Sequence, residues 1–143
     1  MPFLIDGDNL LGTSGQRRTD AAKRKLAFDL ARWAQEQGRR VTVVFDGPEP
    51  GAPAFGASVR FSGGGRTADD LILSMLRKQP DARGWIVVTS DRSLGDQCRW
   101  IGAARERCDV FRKRLTHSRR HEKPEREDEI EYWLEQFGAG PED

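Results

Sequence analysis

The chain has 143 residues, 36% of them hydrophobic and 33% charged, with a formal net charge of +1. That length suits one domain with one core, and no stretch is apolar enough to span a membrane. Two cysteines, Cys98 and Cys108, fit neither a zinc spacing nor a disulfide framework, so a reduced, cytoplasmic chain with no membrane partner is expected.

The chain opens "MPFLIDGDNLLG". The apolar run "FLID" predicts a first strand. It lacks a basic region and is broken by Asp6, which is unlike a secretory leader. Next, "TDAAKRKLAFDLARWAQEQG" places Ala22, Leu26, Leu30 and Trp33 at helical spacing, with Thr19 as cap and Gly38 as stop. "VTVVFDG" (Val41 to Gly47) predicts a second strand, and "SVRF" (Ser58 to Phe61) a short third within a Gly-, Pro- and Ala-rich loop from Pro48 to Gly65. Leu71, Ile72, Met75 and Leu76 predict a helix ending before Pro80. "WIVVTSD" (Trp85 to Asp91) predicts a strand, followed by a helix from Ser93 to about Ile101. "CDVF" (Cys108 to Phe111) is expected as a last edge strand.

The runs in "VTVVF" and "WIVV" are apolar without alternation, as strands buried on both faces are. Strand and helix alternate, which predicts an α/β fold with a mainly parallel sheet of about four to five strands flanked by helices. Phe3, Trp33, Phe45 and Trp85 are expected in the core, and Trp100 fits core or surface. We expect residues 1–116 to form this domain and residues 117–143 a charged linker with a short amphipathic helix. In that helix Ile130, Trp133, Leu134 and Phe137 share a face. Charge is uneven. Residues 99–121 carry a net +6 and residues 122–143 a net −7. A basic block of this kind suggests a polyanionic partner.

Three apolar strands run into an acid: Asp6, Asp46 and Asp91. Asp69 and Asp70 of "GRTADDLI" open a helix. In open α/β sheets the site lies beyond the carboxyl ends of the strands, where helix N-termini also gather. Parallel strands would bring all five acids to that edge. Clustered carboxylates repel one another and raise each other's pKa, a penalty that a divalent cation removes. An all-oxygen donor set suits Mg²⁺ or Mn²⁺, as one or two ions that activate water and clamp a phosphodiester. Each acid also has a local reading: Asp70 in a capping box with Thr67, Asp46 in a turn, Asp91 as a helix cap. Asp8 would share the side of Asp6 along a strand. In a turn it would not, so both a ligand and a solvated acid stay open.

"IDGDN", "VVFDG", "TADDLI" and "VVTSDRSL", in this order, resemble the NYN domain family and its YacP-like branch. The resemblance covers about Phe3 to Leu115, and "YWLEQFG" is similar to the end of bacterial members. It implies a PIN-like three-layer fold and a Mg²⁺- or Mn²⁺-dependent ribonuclease, an endoribonuclease on an open site. It implies Asp6 as the central metal ligand, Asp69 and Asp91 as its partners, and Asn9 as a residue orienting Asp6 or the phosphate. Asp46 becomes an outer acid and Asp70 a further ligand. Asp8 departs from the family pattern, which usually has an uncharged residue there. RNA is the implied partner, with the ribosome or another RNA-presenting protein as a second. Thr89, Ser90, Arg92 and Arg66, with Arg112, Lys113 and Arg114 of "FRKRL", are the expected RNA contacts, since phosphate contacts dominate affinity. The "FRKRL" block reads equally as a solvated edge strand.

Two other readings remain open on the sequence. One is an RNA-binding NYN module that does not cut. The other is a haloacid-dehalogenase-like phosphatase, with Asp6 as nucleophile and Asp8 as acid–base.

Overall fold

The computed structural model describes residues 2–13, 15, 17–51, 55–56 and 58–118. The expected C-terminal amphipathic helix lies outside the described residues. The elements in order are β1 (Pro2–Asp6), α1 (Gly7–Thr13), α2 (Asp20–Gln37), β2 (Arg40–Phe45), β3 (Val59–Phe61) and α3 (Ala68–Arg77). A single 3-10 turn (Ala82–Gly84) then leads to β4 (Ile86–Val88), α4 (Arg92–Ile101), β5 (Ala104–Glu106) and α5 (Cys108–Ser118).

The five strands form one parallel sheet in the order β3-β2-β1-β4-β5. In register, Phe3 lies opposite Val41 and Ile86, and Ile5 opposite Val43 and Val88. Successive side chains alternate between faces. Phe3, Ile5, Val43, Phe45 and Val88 therefore meet α1, α2 and α5. Leu4, Val44 and Val87 meet α3 and α4 on the other side. The result is a three-layer α/β/α body. The first face is closed by Phe3, Trp33 and Phe111, with ring centroids 5.0–5.8 Å apart. Phe3, Phe45 and Trp33 are core residues as expected, Trp85 is half-buried, and Trp100 is 91% exposed.

Local signals explain the boundaries. Thr19 caps α2 by accepting from the Ala22 amide. Gly38 ends it with φ at 63°, a conformation that disfavours any residue with a Cβ. Thr67 and Asp70 form a capping box at α3. Within the loop after β2, Phe55 is buried against Phe61.

One expectation is corrected. Cys108 to Phe111 is not an edge strand but the start of α5, so "FRKRL" is helical as well. Cys108, Phe111 and Leu115 are the buried residues, and their spacing of three and four is that of a helix face. The last edge strand is instead β5, "ARE", which has no fully buried residue. Among the described residues no helix is long and apolar enough to cross a membrane.

Candidate active site

Strand order reverses between β1 and β4. The chain builds outward from β1 through β2 to β3, then returns to β1's other side with β4 and β5. The crevice at such a switch point is where open α/β sheets bind ligands. Asp6 ends β1 at this point, and Thr89, Ser90 and Asp91 follow β4.

Asp6 is 6% exposed. The Thr89 hydroxyl donates to its Oδ2 at 2.9 Å, and Thr89 in turn accepts from the Asp91 amide at 3.1 Å. Burial pushes the Asp6 carboxyl up to about 6. The charges of Asp69 and Asp8 push the same way, against the Thr89 hydroxyl and the Asn9 backbone N–H. Asp69, on the first turn of α3, is also raised. Desolvation leads, followed by Asp91, Asp46 and Asp70. No cation offsets either acid among the described residues.

The other acids are engaged with the backbone. Asp8 is buried in α1, and its Oδ2 accepts from the Asp46 amide at 2.6 Å. Its Oδ1 lies 4.0 Å from Lys23 Nζ, which sits over the rings of Phe45 and Phe61. Asp8 is thus not solvated: it ties α1 to the end of β2. Asp46 Oδ1 accepts from the Ala68 amide at 2.7 Å, fixing the start of α3. Asp91 caps α4 through the Leu94 amide, and Asp70 completes the Thr67 capping box. Among the described residues, no three Asp, Glu, His or Cys side chains form a ready metal-holding group.

Asn9 reaches away from Asp6. Its Oδ1 accepts from the Ser90 amide at 2.6 Å and from the Cys108 thiol at 3.1 Å, joining α1 to the end of β4 and to α5. Its backbone N–H, not its amide group, faces Asp6. Thr89 has no exposed surface, so its hydroxyl serves Asp6. Ser90 and Arg92 are exposed beside the edge. Arg66 donates to the Asp70 carbonyl, Arg112 to the Leu10 carbonyl, and Arg114 pairs with Glu106. Burial lowers the pKa of Arg112. Lys113 is exposed on α5.

Sequence reasoning passed over several participants. Gly7 starts α1 directly from β1, and a methyl group there would fall 2.5 Å from Phe45 Cε1 and 2.9 Å from Val43 Cγ2. Its signal was its place between Asp6 and Asp8, where the backbone must turn against β2. Ser62 is buried. It accepts from the Gly47 amide and donates to the Arg66 carbonyl, both at 2.9 Å, holding the approach to α3. Lys23 and Arg105 gave no signal, since each stands among other basic residues.

The fold and this edge can be set against known proteins. No curated protein matches the chain. The crystal structure of Rae1 (YacP) from Bacillus subtilis, as a W164L mutant, superposes with a TM-score of 0.68 at 25% identity, covering 96% of this chain and 93% of that one. Another crystal structure of Rae1 (YacP) from the same organism gives 0.64 at 20% identity, covering 95% of this chain and 78% of that one. The YacP-like NYN domain model matches residues 3–136. The chain belongs to the YacP-like NYN domain family, a family of ribonuclease type.

Proposed function

We propose that the chain is a metal-dependent endoribonuclease that hydrolyses RNA phosphodiester bonds at the β1–β4 edge. The observation that carries this reading is the pair Asp6 and Asp69. Both carry charge that burial and neighbouring acids disfavour, and neither has a compensating cation among the described residues. That donor chemistry fits Mg²⁺ or Mn²⁺, all oxygen and with negative charge to spare. Asp6 and Asp69 would hold the ion, with Asp91 beside them. Asp8, Asp46 and Asp70 serve the backbone and shape the edge. A bound divalent cation supplies polarisation of a phosphoryl oxygen and a lowered pKa for water. The chain's own contribution is to keep Asp6 dry and oriented through Thr89, and to leave Ser90 and Arg92 facing the approaching strand.

The commitment of Asp8 to the Asp46 amide and Lys23 speaks against the acid–base role a phosphatase would need. The free, buried cysteines suit a cytoplasmic chain. The test is cleavage of a labelled single-stranded RNA in Mn²⁺, Mg²⁺ or EDTA by the wild type and Asp6→Asn. Metal-dependent cutting that is lost in the variant supports the proposal. Binding without cutting by the wild type would replace it with a silent RNA-binding module, and release of phosphate from a small phosphomonoester would replace it with a phosphatase.

A further inference from the structure

The carboxyl edge continues past the acids. Beyond Ser90 lies a cleft of about 530 Å³ between the end of α1, β5 and the starts of α4 and α5. It is lined by Thr13, Ser90, Arg92, Arg105, Arg107 and Asp109. Half of this lining is arginine, against a single acid. Ser90 adjoins Thr89, whose hydroxyl is bonded to Asp6, so the cleft opens directly beside the proposed catalytic edge.

Two of the three guanidinium groups are held in place. Arg105 Nε donates to the Thr89 carbonyl at 2.9 Å. Its stem lies across Gly95, where an added methyl group would come within 3.0 Å of Arg105 Cγ. A side chain at residue 95 would displace it. That leaves the terminal N–H groups of Arg105 without a partner among the described residues. Arg107 is held by Asp109 at 2.9 Å. Arg92 has no partner among the described residues. By contrast, Arg66, Arg112 and Arg114 are turned to carbonyls or to Glu106. Arg92 and the outer N–H groups of Arg105 are therefore open to a strand where Arg66, Arg112 and Arg114 are engaged.

We propose that the cleft is a phosphate subsite for the RNA strand, in which Arg92 and Arg105 hold a phosphodiester flanking the one at Asp6. This rests on the ribonuclease reading above. Guanidinium groups suit phosphate oxygens through paired N–H donors. The Ser90 hydroxyl, whose oxygen accepts from the Cys108 amide, keeps its proton as a donor on the near wall. Asp109 on the far wall neutralises Arg107 and repels a further phosphate, so the cleft takes one. It is wider than a lone anion needs and is continuous with the acid edge, which matches a phosphate carried on a strand.

The test uses the full chain with Asp6→Asn, so that binding is read without cleavage. Affinity for a short labelled single-stranded RNA is measured by fluorescence anisotropy across a salt series, alone and with Arg92→Gln and Arg105→Gln added. Glutamine at residue 105 can still donate to the Thr89 carbonyl. We expect affinity to fall about tenfold at low salt, and the slope of log affinity on log salt to shrink by ~0.7, the value for one phosphate on a single strand. Arg77→Gln with Arg83→Gln removes the same charge at the opposite edge of the sheet and should change affinity less than about twofold. Equal loss from both pairs, no loss from the cleft pair, or no RNA binding by the parent would overturn the subsite. If the double variant does not fold, Arg92→Gln alone carries the test, since that side chain is exposed and unbonded among the described residues. Cleft-dependent binding by a wild type that never cuts would overturn the ribonuclease reading and leave the subsite standing.

Discussion

Two groups of aspartates share the carboxyl edge and differ in what surrounds them. On the β2 side, Asp8 and Asp46 accept backbone N–H groups at 2.6 and 2.7 Å. On the β1–β4 side, Asp6 and Asp69 are disfavoured as anions by burial and by one another's neighbours. A carboxylate bonded to backbone amides stabilises the fold as it stands. A carboxylate left with excess charge is a cost that persists only where something bound relieves it. Residue type and position on the edge are the same in both groups, and what separates them is burial with like charges nearby, which for Asp6 outweighs the hydrogen bonds it accepts.

The largest expected effect tests this division directly. Asp6→Asn should lower metal-dependent RNA cleavage by at least ~10²–10³-fold, the scale of losing one preorganised electrostatic group. The fold should be retained, because asparagine still accepts from Thr89. An Asp6→Asn enzyme of wild-type activity would end the comparison.

The same substitution should stabilise the protein in EDTA. Between pH 3.8 and about 6, the folded chain holds more protons on Asp6 than the unfolded chain does. Stability therefore falls as pH rises through that window, and the cost is complete above it. Removing the charge should recover on the order of 3 kcal/mol at pH 7–8, and nothing below about pH 4. Urea melts of both proteins across pH check this, and a gain that is independent of pH would contradict it.

Asp8→Ala should behave in the opposite way. It strands the Asp46 amide and frees Lys23, and should destabilise by about 1–3 kcal/mol at neutral pH. Any loss of activity should follow the shift of α3 that carries Asp69. Thermal melts alongside kcat would show whether stability or chemistry falls first. The smallest effect is expected from Asp70→Ala, which removes one half of the α3 capping box and should cost about 0.5–1 kcal/mol in denaturant melts. A loss of activity far beyond that stability change would move Asp70 into the group with Asp6.

Much of this was legible in the chain. Three apolar runs ending in acids named the sheet, its direction and the edge at which to look. Thr19, Gly38 and the Thr67–Asp70 pair marked helix ends by local chemistry, and the structure bears them out. The errors have physical causes. β5 is three residues long with no fully buried side chain, so no hydrophobic pattern announced it. Cys108, Phe111 and Leu115 carried a helical spacing that a short apolar run concealed. The division among the acids was illegible because it depends on partners 38 and 22 residues away, the Asp46 amide for Asp8 and the Ala68 amide for Asp46. Arg105 was illegible for the same reason, since its role depends on Thr89 and Gly95.

The strand order also sets when the edge can exist. β1 lies in the middle of the sheet, and its second neighbour is β4. Asp6 belongs to the first strand of the domain, yet its hydroxyl partner is 83 positions later. A nascent chain that reaches only residue 70 holds β1, β2 and β3, with one side of β1 still unpaired. Pairings of such long sequence separation form late. The β1–β4 edge is therefore assembled only after nearly the whole domain has been translated. A site built in this order cannot act while the strands that complete it are still being made.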